Sequence, residues 1–223
     1  SWRDRVATMR TLALLAALLL LPVSATAQSV ARQSVAGQFD YYVLSLSWSP
    51  SWCRAEGKDG DPGQCALGRR TDFVVHGLWP QYERGWPQDC RSAARDPARR
   101  ETRAMADVMG SSGLAWYQWK KHGRCSGLSA QDYFKLVRDA AQTITIPDVL
   151  RGLDRDVRLP AKVIEDAFIE ANPGLTRDGI TVTCRDRALQ EVRICMTSDL
   201  EPRSCAPDTR QDCTGSFLMP APR

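Results

Sequence analysis

Histidine is scarce in this chain. Only His76 and His122 occur in 223 residues, so chemistry that relies on imidazole has a short list of candidates. Net charge is scarce too, at +4 from 30 basic and 26 acidic side chains. That excludes a protein that grips nucleic acid through a broad basic surface. No apolar run approaches the ~20 residues needed to span a bilayer, and Leu12 to Leu21 falls well short. No Cys-x-x-Cys pair occurs, and the two histidines are far apart, which argues against structural zinc. There is no internal repeat and no linker-like stretch, which excludes a solenoid or a string of modules. A hydrophobic share of 43% is enough for a core and excludes wholesale disorder.

The start of the chain reads as an export signal. Met9-Arg10 precedes the apolar stretch Leu12 to Leu21, and Pro22-Val-Ser-Ala-Thr-Ala27 supplies a small-residue cleavage site. Residues 1–27 are expected to be this signal and upstream residues. Their removal takes Arg3, Arg5, Arg10 and Asp4 away and leaves a near-neutral product, expected to be soluble and secreted or periplasmic. The eight cysteines (Cys53, Cys65, Cys90, Cys125, Cys184, Cys195, Cys205 and Cys213) all follow the signal. In an oxidising compartment an even set of this size reads as four disulfides, and the residues alone leave 105 pairings open.

Residues 28–38 are small and polar, a loose N-terminus. Phe39 to Trp48 alternates apolar and polar side chains and reads as a strand. Residues 54–70 read as a loop, Thr71 to Val75 as a short strand ending at His76-Gly77, and 80–95 as a loop. Helices are expected at 97–109, 114–122, 130–142 and 160–171, with Ser129 and Asp132 forming a capping-box-like start. Ile180 to Cys184 and Leu189 to Met196 look like paired strands, followed by a Pro-rich tail. The pattern is one α+β domain with helices massed in the middle.

His76 lies in Phe73-Val-Val-His-Gly-Leu-Trp-Pro80 and His122 in Trp116-Tyr-Gln-Trp-Lys-Lys-His-Gly-Arg-Cys125. Each has a glycine next to it and a tryptophan three positions away. Two imidazoles supply a base and an acid near neutrality. Lys121 supplies charge for a phosphorus-centred transition state. An exposed tryptophan stacks on a base. These parts fit metal-free transesterification of RNA. A histidine beside tryptophan is also commonly a packed or capping residue, and spacing does not bring the two motifs together.

The motifs resemble those of the ribonuclease T2 family. His76-Gly-Leu-Trp-Pro80 matches the family's first active-site motif, and Trp119-Lys-Lys-His-Gly-Arg-Cys125 matches most of the second. Tyr42 to Cys53 and Glu191-Val-Arg-Ile-Cys195 look like its opening and C-terminal strands. The resemblance implies an antiparallel central sheet with helices packed against it over 39–223, no cofactor, RNA as partner and a monomer. It implies His122 as base, His76 as acid, Lys121 as the cation facing the phosphorane and Trp79 as the base-stacking side chain. It also implies the pairs Cys53–Cys65, Cys90–Cys125, Cys184–Cys213 and Cys195–Cys205. Three positions depart from the family pattern: Gln118 for glutamate, Tyr117 for histidine and Arg124 for threonine. Gln118 and Tyr117 retain hydrogen bonding to phosphate without ionising. Arg124 either restores charge near the site or faces solvent. Gln81 either reads a base edge or is a solvated loop residue. An inactive RNA-binding or effector relative is the alternative. Positive charge is expected at the scissile phosphate and little elsewhere.

Overall fold

The alternation in residues 39–48 becomes the middle of a sheet. In a computed structural model, which describes residues 34–56, 62–66 and 68–223, the first half runs β1 (Tyr41–Trp48), α1 (Ser49–Glu56), α2 (Pro62–Cys65), β2 (Phe73–Gln81), α3 (Arg99–Ala104), α4 (Ala106–Met109) and α5 (Ser112–Lys121). The second half runs α6 (Ala130–Thr143), α7 (Asp148–Arg151), β3 (Val157–Pro160), α8 (Ala161–Ala171), β4 (Ile180–Arg185), β5 (Ala188–Met196) and β6 (Ser216–Met219). Strands run in the order β2-β1-β5-β6-β3, with β4 also on β5. Among the described strands every pairing is antiparallel except that of β5 with β6. The proposed export signal lies outside the described residues, as do residues 28–33. Residues 34–38 are held by backbone bonds, Gly37 N–H to Cys125 O at 2.9 Å among them.

One face of the sheet makes the core. Tyr42, Leu44, Leu46 and Trp48 of β1 lie opposite Met196, Ile194 and Val192 of β5 and Leu78 and Val75 of β2. Trp119, Tyr133, Phe134 and Phe168 from the helices pack into the same cluster. Each fully buried side chain of this kind contributes roughly 1.5–3 kcal/mol. Because strand side chains alternate, the other face carries Tyr41, Val43, Ser45 and Ser47 beside Glu191 and Arg193. Four disulfides tie the loops down: Cys53–Cys65, Cys90–Cys125, Cys184–Cys213 and Cys195–Cys205.

Several boundaries differ from the expected ones. The strand expected at 71–75 continues through His76 to Gln81. Pro80 is tolerated because β2 is an edge strand, where a missing N–H costs no pairing. The helix expected at 97–109 breaks at Met105, whose N–H bonds to Thr102 O at 3.2 Å, while Arg138 takes the Ala104 carbonyl. The loop expected at 54–70 begins in α1 and includes α2, and the short strands β3 and β6 carried no pattern long enough to register.

Candidate active site

The strand β2 carries one residue too many for its partner. Ser45 pairs with Gly77 and Leu46 with Val75, which leaves His76 as the extra residue of a β-bulge. Bulges bend the strand locally and re-aim a side chain. His76 turns over the polar face of the sheet and donates from Nδ1 to Glu191 Oε1. Glu191 belongs to β5, two strands away, each step being ~4.8 Å. The contact can form because β1 places only Ser47 opposite Glu191 and Ser45 opposite Arg193. Arg193 holds the other carboxylate oxygen from Nη2 at 2.7 Å. Burial pushes the Glu191 carboxyl up, but His76 and Arg193 outweigh it and hold it at about 2. With Nδ1 so engaged, Nε2 of His76 is left for a substrate. His76 is about a third exposed.

Helix α5 presents the second group. Ser111 caps it by accepting from Leu114 N–H at 3.0 Å. His122 ends it and begins a 3-10 turn over Gly123–Ser126. Gly123 is required there, because a Cβ would sit 2.7 Å from the Trp119 ring and 2.8 Å from Tyr133. His122 is 8% exposed, and its Nδ1 has no hydrogen-bond partner among the described residues. Burial, then the charges of Lys121 and His76, push its pKa down to about 3. The two histidines therefore differ in kind: His76 faces a carboxylate, whereas His122 is a neutral imidazole.

Trp79 joins the two motifs. Its ring lies 5.3 Å from each imidazole, edge-on to His76 and tilted over His122. Its indole N–H donates to Gln118 Oε1 at 2.7 Å, and the Arg193 guanidinium lies 5.1 Å from the ring. Gln118 and the indole also close over Gly77, where a Cβ would meet both at 2.3 Å. Lys121 Nζ donates to Tyr117 Oη at 3.1 Å, and Tyr117 is exposed. Gln81 is buried at the end of β2, opposite Tyr41 and on the Trp79 face, so the solvated-loop reading does not hold. Arg124 turns to Asp96 at 2.8 Å, the same carboxylate that accepts from Trp119 Nε1 at 2.9 Å, so its charge is spent on a structural pair.

The frame that holds the motifs together is short. Cys90–Cys125 joins the loop after β2 to the turn after α5, and Asp89 N–H bonds to Lys121 O at 2.8 Å. Tyr133 of α6 donates to Leu78 O at 2.9 Å, bracing β2 from the core side. A cavity of about 490 Å³ opens beside His76 and Glu191, with Trp48, Trp52, Leu114 and Leu189 in its wall. Among the described residues, no group of three or more histidine, cysteine, aspartate or glutamate side chains is placed to hold a metal ion.

Sequence reasoning missed Glu191 and Arg193 as site residues. The signal was present: in a predicted strand, two charged residues alternate with Val192 and Ile194, so both charges share the non-core face.

Comparison with known proteins gives the family and the fold. The model of the Ribonuclease T2 family matches residues 39–205. The chain belongs to the ribonuclease T2 family. It is 37% identical over 195 residues to a ribonuclease of Aeromonas hydrophila, covering 86% of each chain. In fold it is similar to RNase NT, solved in complex with 5'-AMP, with a TM-score of 0.64 at 22% identity over 83% of this chain and all of that one. It is also similar to an RNase-related protein from Calystegia sepium, with a TM-score of 0.64 over 83% of this chain and 98% of that one.

Proposed function

We propose that this chain is an exported, monomeric endoribonuclease that cleaves single-stranded RNA by transesterification. Family membership supports ribonuclease activity. The observation that carries the mechanism is the contrast between two imidazoles flanking one indole. His122, held neutral by burial, takes the proton of the 2'-OH. The freed oxygen attacks the adjacent phosphorus. His76, oriented through Nδ1 by Glu191, delivers a proton from Nε2 to the departing 5'-oxygen. The products are a 2',3'-cyclic phosphate and a free 5'-OH. Water then opens the ring to a 3'-phosphate with the two roles exchanged.

Lys121 meets the charge on the phosphorane, and Tyr117, its neighbour at 3.1 Å, adds a hydroxyl. Gln118 acts through Trp79, fixing the indole as a face for the base on the 5' side. Gln81, on the same face, lies within reach of that base. In this reading residues 1–27 are the export signal, residues 28–38 precede the catalytic domain, and four disulfides fit an oxidising compartment. Incubating the signal-free protein with RNA in excess chelator tests the proposal. Cyclic-phosphate ends that convert slowly to 3'-phosphates are the expected products. RNA that is bound but left intact between about pH 4 and 8 would instead mark an inactive binding relative.

A further inference from the structure

A second cleft lies between α3 and α5. It has a volume of about 590 Å³, with Arg99, Thr102 and Arg103 of α3 on one wall and Ser112, Gly113 and Trp116 of α5 on the other. Arg99 and Arg103 are four residues apart and share one helix face. No carboxylate neutralises them among the described residues, because the acids nearby are engaged elsewhere. Glu101 bonds to Arg95 at 3.1 Å and to the Ala98 N–H at 2.5 Å. Asp96 is held by Arg124 and Trp119. Asp107 is held by Arg138 at 2.7 Å. Trp116 is 39% exposed, and its indole makes no hydrogen bond among the described residues. The local sequence is rich in positive charge: Arg91, Arg95, Arg99, Arg100 and Arg103 against Asp96 and Glu101.

We propose that this cleft is a substrate-binding exosite, in which Arg99 and Arg103 contact successive phosphates of single-stranded RNA and Trp116 stacks on a base. The inference rests on the RNA-cleaving reading above and extends it to sequence beyond the scissile bond. Unpaired guanidinium groups suit phosphate, which they bind in a planar fork. An exposed indole accepts any base by its face. The cleft shares α5 with the second motif. Trp116 precedes His122 by six residues, ~9 Å along a helix axis, and Tyr117 and Lys121 lie between them. A strand of a few nucleotides covers that distance. Positive charge is thus grouped at two places rather than at the scissile phosphate alone, while the chain as a whole stays near neutral.

The test uses a 2'-O-methylated oligonucleotide of ~12 residues, which has no free 2'-OH and stays intact on the enzyme. Its binding to wild type is compared with Arg99→Ala/Arg103→Ala, Trp116→Ala and Trp116→Phe over a range of salt. The double arginine variant is expected to bind about 10-fold more weakly, and its salt slope to flatten by about 1.4, since each single-strand phosphate contributes ~0.7. Trp116→Phe should keep the stacking that Trp116→Ala loses. A dinucleoside phosphate, too short to reach the cleft, should be cut by all variants at the wild-type rate, while KM for long RNA rises. An unchanged salt slope, equal losses on short and long substrates, or no oligonucleotide binding by wild type would overturn the exosite. If wild type cuts nothing, the catalytic reading fails, yet the binding and salt slopes still decide the exosite.

Discussion

A buried neutral histidine makes the stability of this protein depend on acid in a calculable way. The His122 pKa is about 3 when folded against an ordinary value of 6.5. The unfolded chain therefore gains a proton below about pH 6.5 that the folded chain refuses until about pH 3, so this contribution falls as pH falls through that window. Integrated from about pH 7 to pH 4, the loss is roughly 3 kcal/mol. For a domain of this size that corresponds to about 6–12 °C in Tm. The assay is denaturant unfolding at both pH values with the disulfides intact, on wild type and His122→Asn. Asparagine keeps a neutral polar group without a titrating ring. Glu191, whose folded pKa of about 2 is depressed from 4.5, adds stability present above about pH 4.5 and lost as pH falls towards 2. That loss occurs in both proteins and cancels in the comparison. Wild type should fall by about 3 kcal/mol more than the variant. With only two histidines present, the His122 ring resonances should also stay flat between about pH 4 and 8. Equal losses in the two proteins, or a His122 resonance that titrates near 6.5, would refute the buried-base reasoning.

Other consequences follow from the same geometry. Glu191→Ala should lower kcat about 10²-fold with KM little changed, because a misdirected His76 no longer aims its Nε2 proton at the departing 5'-oxygen, and Glu191→Gln should recover part of this, since its amide oxygen still accepts from Nδ1; steady-state kinetics on a dinucleoside phosphate reads the split. Gly123→Ala should cost about 1–3 kcal/mol by overpacking against Trp119 and Tyr133, measured by thermal unfolding at neutral pH. Cys90→Ser/Cys125→Ser closes no 35-residue loop and should cost about 2–5 kcal/mol, with kcat falling in step as the two motifs lose their link. Arg124→Thr should lower stability by about 1 kcal/mol or less through the half-exposed pair with Asp96 and leave the salt dependence of long-RNA cleavage unchanged.

The sequence disclosed those parts of the fold that repeat a period. β1, α6, α8 and the β4–β5 pair each carry an alternating or helical pattern long enough to register, and each appears within a few residues of its expected bounds. The short strands β3 and β6 do not, because four residues carry no period and their pairing is set by the chain end returning to the sheet. The bulge at His76 was equally hidden, since it is a mismatch between two strands rather than a property of one. At the site, His76, His122, Lys121, Trp79 and Gln118 were legible as residue types and motifs. Their contacts were not. That Trp79 is fastened by Gln118 and that Arg124 is spent on Asp96 depend on how α5 docks beside β2. Glu191 was legible as a charge on the non-core face of a strand, but its contact with His76 was not: it reaches across Ser47, and only strand order brings β5 within reach of β2.

The central claim is that His76 and His122 act as one acid–base pair. The most direct test is a double-mutant comparison on a dinucleoside phosphate with His76→Ala, His122→Ala and the double variant. Each single change should cost about 10²–10⁴-fold in kcat, and the double variant should be scarcely slower than the worse single one, because partners in one proton transfer fail together. Losses that multiply in the double variant, or near-wild-type cleavage with either histidine removed, would contradict the account.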